Sequence, residues 1–121
     1  MKIKLKLTRG QYKGVATIAQ NCCSVLRGDT FEVVQSRDVL MSLVLRMAAK
    51  VPTLRERSNS LTMSEAESMV LWRMVNARVM EFQPYEMGIG LWMLREIDLQ
   101  LSRYVTLMRA NLWEQQNYLR R

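Results

Sequence analysis

Apolar residues recur along this chain with two different periods, and the change from one to the other marks out its elements. From Lys2 to Leu7 the alternation is strict, with Ile3, Leu5 and Leu7 on one side and Lys2, Lys4 and Lys6 on the other. A period of two predicts a strand with one buried face, here a short N-terminal β-strand or extended arm with a basic outer face. A lone strand leaves its backbone N–H and C=O groups unpaired, so it needs a partner. That partner is either the same strand of a second copy or Ser58–Met63 of this chain.

At Thr8 the period lengthens. Thr8-x-x-Gln11 has the form of a capping box, and Leu7 and Tyr12 are spaced as a hydrophobic staple. Val15, Ile18, Ala19, Cys22, Val25 and Leu26 then share one helical face, opposite Arg9, Lys13, Thr17, Gln20, Ser24 and Arg27. Gly10 and Gly14 each cost up to about 1 kcal/mol relative to Ala, which close approach of another element would explain. Gly28 suits a left-handed C′ stop. Phe31-Glu32-Val33-Val34 fits either a short strand or the start of the next helix. That helix covers Val39–Val51, with Leu40, Met41, Val44, Met47, Ala48 and Val51 inward and Ser42, Arg46 and Lys50 outward. Arg37 intrudes on this apolar face; it either pairs with Asp98 or snorkels to the surface.

Pro52 ends the helix, and Pro52–Ser60 is linker-like. Leu61-Thr62-x-x-Glu65 then repeats the Leu7-Thr8-x-x-Gln11 pattern, with Ser64-x-x-Glu67 as an overlapping second box. The helix that follows, to Phe82, is apolar almost all round. Pro84 opens the longest pattern, which reaches Leu119 and would span about 54 Å at ~1.5 Å per residue. It must overhang, kink or break, the candidate points being Gly88, Gly90 and Asn111. Its main apolar line is Met87, Leu91, Leu94, Ile97, Leu101, Val105, Met108, Leu112 and Leu119. A second line, Ile89, Trp92, Leu99 and Leu107, marks a candidate protein interface, because a helix apolar on two sides is covered on both.

These elements predict an all-α or mostly α protein: an antiparallel helical bundle of about four helices, with the long C-terminal helix as its axis, plus the N-terminal strand or arm. The 121 residues form a single domain, 1–121. A subdivision into a strand–helix–helix unit, 1–51, and a helical hairpin, 58–121, would put a hinge at 52–60. Two copies of one extended-segment, helix, helix unit, 2–51 and 58–119, would account for the shared Leu-Thr pattern.

Composition narrows the function. The net charge of +7 lies in the first half: residues 1–60 hold eleven Lys or Arg against four acids, and residues 61–121 hold seven of each sign. Such asymmetry favours a polyanionic partner. There is no histidine, which removes the commonest general base and the Ser-His and Cys-His pairs. Cys22 and Cys23 are adjacent; Cys22 falls mid-face and reads as a reduced, buried small hydrophobe, Cys23 lies nearer the edge, and the two lack the further ligands a metal site needs. The expectation is a non-enzymatic protein with no cofactor and no metal. No apolar run is long enough for a membrane span and the first residues lack a signal peptide's apolar core, so a cytoplasmic protein without membrane contact is expected.

A strand alternating lysine with apolar residues, followed by two helices over residues 2–50, resembles the ribbon-helix-helix DNA-binding family. In that family two chains pair their N-terminal strands and present the outward side chains to the major groove. The resemblance implies Lys2, Lys4 and Lys6 as nucleic-acid-binding residues, with Arg9 and Lys13 near phosphates. Two functions are compatible with these patterns. One is an oligomeric protein-interaction module, a homodimer or the partner of another helical protein, using Ile89, Trp92, Leu99 and Leu107. The other is a DNA-binding regulator with a ribbon-helix-helix-like N-terminal half.

Overall fold

A computed structural model describes the backbone of residues 2–119 and the side chains of residues 2–103. Over the described residues the chain is mostly helical, with four α-helices and one small antiparallel sheet of two strands. The order is β1 (Lys2–Leu7), α1 (Arg9–Val25), α2 (Phe31–Lys50), β2 (Asn59–Ser64), α3 (Glu65–Arg78) and α4 (Pro84–Leu119), with 3₁₀ turns at Val51–Thr53 and Val79–Glu81.

The partner of β1 lies in the same chain. Lys2 faces Ser64, Lys4 faces Thr62 and Lys6 faces Ser60, while Ile3, Leu5 and Leu7 pair with Met63, Leu61 and Asn59. Alternation therefore runs across both strands. One ribbon face buries Ile3, Leu5, Leu7, Leu61 and Met63 in a hydrophobic core that draws on all four helices. The other face is polar.

Each strand leads into a capped helix. Thr8 caps α1 in a reciprocal box with Gln11, and Ser64 caps α3 in the same way with Glu67. Thr62 lies inside β2, so of the two overlapping boxes in the sequence the second is the one used. Superposing the caps shifts the chain by 56 positions, from Thr8 to Ser64. The same shift carries Leu5 onto its own cross-strand partner Leu61, and buried Val15 and Ala19 onto buried Leu71 and Val75. The strand–helix–helix order thus occurs twice, and the ribbon register has an approximate two-fold through the Leu5–Leu61 pair. The second helix of each unit runs beside the other unit's strand: α2 bonds to β2 and α4 to β1.

Several inward positions differ from those the periodicity predicts. In α2, which begins at its Thr30 cap rather than after a strand at 31–34, Leu40, Leu43 and Met47 are buried and Met41 is 43% exposed. In α3 only one line, through Glu67, Ser68, Leu71 and Val75, is buried, so the helix is not interior. In α4 the core takes Ile89, Met93 and Ile97, whereas Leu91 is 49% exposed. The long helix is also not the sole axis: it packs on α1, α3 and β1, and α2 lies on α1 and α3.

Two glycines explain the crossing of α1 and α4. A Cβ at Gly14 would overlap Ile89 Cδ1, and one at Gly10 would come within 3.2 Å of the Tyr85 hydroxyl. Two small residues four apart thus receive two large ones four apart, as the i, i+4 geometry of crossing helices allows. Gly90 does the same at the next contact, 3.1 Å from Val79, and α4 breaks at neither Gly88 nor Gly90. The Arg37 guanidinium donates to the Leu26 carbonyl at 3.3 Å, at the end of α1; it does not pair with Asp98, which is exposed.

The stretch 52–60 is mostly exposed but anchored at two buried residues. Leu54 and Asn59 are buried. The Asn59 amide donates to the carbonyls of Leu7 and Arg55 and its oxygen accepts from the Arg55 N–H, closing a turn in which Ser58 takes a φ of 64°. The Arg9 N–H also donates to the Glu56 carbonyl at 3.1 Å, holding this turn against the start of α1.

Candidate nucleic-acid interface

The outward face of the ribbon is built by its register. Period two puts Lys2, Lys4 and Lys6 out of the core on β1, and the antiparallel pairing sets Ser64, Thr62 and Ser60 opposite them. Five of these residues are exposed and Thr62 is partly so. None carries a carboxylate. Each lysine thus stands beside a hydroxyl, an ammonium donor next to a group that both donates and accepts.

Both edges of the ribbon are closed by side chains. On the β1 edge, the Lys4 N–H donates to Gln100 Oε1 at 3.1 Å and Gln100 Nε2 donates back to the Lys4 carbonyl at 2.8 Å. On the β2 edge, Arg46 Nη2 donates to the Thr62 carbonyl at 2.8 Å and Lys50 Nζ to the Ser60 carbonyl at 2.6 Å. Open strand edges recruit further strands, and these contacts occupy the Lys4 N–H and carbonyl and the Thr62 and Ser60 carbonyls. Arg46 also pairs with Glu67 at 2.6 Å. The Glu67 side chain is only 8% exposed, so its charge is neutralised beneath the basic face. Lys50 further lies 5.8 Å from the centroid of the Tyr12 ring, whose phenol is raised in pKa by burial against the opposing effect of Arg46.

Of the residues singled out by sequence, Lys2, Lys4 and Lys6 share this face. Arg9 is exposed at its end, with its guanidinium held on the Leu54 carbonyl at 3.0 Å. Lys13 lies apart, on the outward side of α1, beside an open groove of about 320 Å³ between α1 and α2. Sequence reasoning missed Arg46 and Lys50 at the β2 edge and the hydroxyl row. Ser60 and Thr62, alternating with Leu61 and Met63, are the signal that could have found that row.

The three described candidate interface residues of the long helix do not form one surface. Ile89 is buried, with its tip over Gly14, and so is removed from any interface. Trp92 is partly buried and packs against the core, whereas Leu99 is 48% exposed. Leu107 lies outside the described side chains, as do Val105, Met108, Leu112 and Leu119 of the main line and Asn111.

Cys22 and Cys23 are free and buried. Burial pushes the Cys22 thiol up to about 11, with Arg78 opposing and Cys23 adding to the rise. A thiol so shifted is a poor nucleophile at neutral pH. Among the described residues no helix is long and apolar enough to cross a membrane. Compared with protein-family models, curated proteins and solved structures, the chain gives no significant match.

Proposed function

We propose that the protein is a non-enzymatic DNA-binding protein that lays its two-stranded ribbon into the major groove of a duplex. The observation that carries this is the outward ribbon face, where Lys2, Lys4 and Lys6 stand opposite Ser64, Thr62 and Ser60. The B-form major groove is ~12 Å wide and admits a two-stranded ribbon. From Lys2 to Lys6 the strand extends about 14 Å at ~3.4 Å per residue, which matches about four base steps. Lysine serves phosphates and the guanine edge, and hydroxyls bond to either base partner. The major groove of A-form RNA is too deep and narrow for the same docking. Because one chain supplies both strands, the ribbon exists without dimerisation.

Changing Lys2, Lys4 and Lys6 together to Glu abolishes binding of a duplex in fluorescence anisotropy at low salt, and the wild-type affinity falls steeply with added salt. Undiminished binding by that triple variant would exclude the ribbon as the DNA-binding surface.

A second function, an oligomeric or helix-binding interaction module, has its own support in the exposed apolar residues on the outer helix faces: Leu45 on α2 and Leu91 and Leu99 on α4. It predicts an oligomer in light scattering that Leu99→Glu dissociates; a monomer at high concentration counts against it.

A further inference from the structure

The two-fold of the ribbon register relates positions in the two strand–helix–helix units but not their charges. At the Leu7/Asn59 end of the ribbon, α1 starts with no acidic residue in its first turn and presents exposed Arg9. Beside it lies the 52–60 turn, tied to Arg9 through Glu56 and carrying exposed Arg55 and Arg57. Lys50 closes the same end from α2. Glu56 is the only acid among these residues. At the opposite end one equivalent changes sign, one becomes acidic and one loses its charge. The two-fold maps Arg9 to Glu65, Gln11 to Glu67 and Lys13 to Met69, and the first turn of α3 contains both Glu65 and Glu67. The first turn of α1 holds no carboxylate to offset its dipole, whereas that of α3 holds Glu65 beside the Arg46-paired Glu67.

We infer that the ribbon, granted that it binds duplex DNA, holds its ligand one-sidedly. Phosphates are gripped more tightly at the Arg9, Lys50, Arg55 and Arg57 end than at the Glu65 end, where of the ribbon lysines only Lys2 stands, and the preferred site is a duplex without dyad symmetry bound by one protein molecule. A dimer of identical chains presents the same charges at both ends of its ribbon and so matches a palindrome. A single chain with two unlike halves has no such constraint. Among the described residues the ends differ by several charges, and a Debye length of ~8 Å at physiological salt keeps their fields separate.

The test uses the full chain and a 20-base-pair DNA duplex, with an RNA duplex of the same sequence as control. Arg55→Glu with Arg57→Glu weakens DNA binding about tenfold and lowers the salt slope by about two. Glu65→Lys strengthens binding about threefold and raises the slope by about one, with Glu65→Gln giving a smaller gain. Melting curves confirm that each variant is folded. Selection from a randomised duplex pool enriches sequences without dyad symmetry, at one protein per duplex. If the wild type binds but the Arg55/Arg57 variant loses nothing, or palindromes are enriched, the one-sided grip is overturned while ribbon binding stands. If the wild type binds no DNA at low salt, or prefers the RNA duplex, both proposals fail.

Discussion

The first unit of this molecule, β1-α1-α2, and the second, β2-α3-α4, solve the same packing problem with different residues. Both send a strand into a helix through a reciprocal capping box, and both place the second helix beside the other unit's strand. Their surfaces have diverged. The first unit has lysines on its strand and glycines on its first helix. At the matching places the second has hydroxyls on its strand and, in α3, Ala66 and Val70. Shared backbone geometry thus rests on features that local chemistry needs, a cap and a period of two, while outward positions are free to take up charge. A ribbon whose buried face is nearly symmetric can therefore expose an asymmetric one.

The largest effects are expected where the halves are most alike. Leu5 and Leu61 pair with each other on the two-fold, 2% and 4% exposed. Leu5→Ala and Leu61→Ala each cost about 2–5 kcal/mol in chemical denaturation, by lost transfer energy plus a cavity. The two losses should be similar, and a large inequality would show that the units are not equivalent in packing.

Next comes the glycine crossing, which only the first unit has. Gly14→Ala forces its new methyl into Ile89 Cδ1, and overpacking of this kind costs about 1–3 kcal/mol. Ile89→Val removes that atom, so the double variant should recover part of the loss in a double-mutant cycle. The equivalent helix already carries Val70, and Val70→Ala there should not show this coupling with Ile89.

The smallest effect is the share of the alkaline pH dependence that comes from the first unit's Cys22. Its folded pKa of about 11 lies above the unpaired value of 9.0, so the native state holds the proton more tightly. The stabilisation is fully present below pH ~9 and is lost as pH rises through the folded value. Cys22→Ala should flatten the alkaline limb of a stability-versus-pH curve, leaving the contribution of Tyr12, which burial also raises. An unchanged limb would remove Cys22 as its source.

Much of this was legible in the chain. The Lys2–Leu7 alternation, the Thr8–Gln11 box and the start of the last helix at Pro84 are set by interactions within a few residues, which a sequence displays directly. Choices between locally equal options were not. Thr62-x-x-Glu65 and Ser64-x-x-Glu67 are both sound capping boxes, and what selects Ser64 is that Thr62 is held in the ribbon opposite Lys4. In α4, leucine, isoleucine and methionine fall on two sides, so periodicity alone permits several phases. Contact with α1 and α3 selects Ile89, Met93 and Ile97, and leaves Leu91 in solvent.

The sequence alone thus determined that the chain is mostly helical, that its N-terminal strand has one basic face, and that its positive charge lies in the first half. Only the tertiary structure decided that the strand's partner is internal, that hydroxyls stand opposite the lysines, and that Arg46, Lys50 and Gln100 close the ribbon's edges. The reason is range. Period and capping are written within one or two helical turns, whereas Gln100 meets Lys4 across 96 positions. Contacts so distant form only when the whole core has been packed.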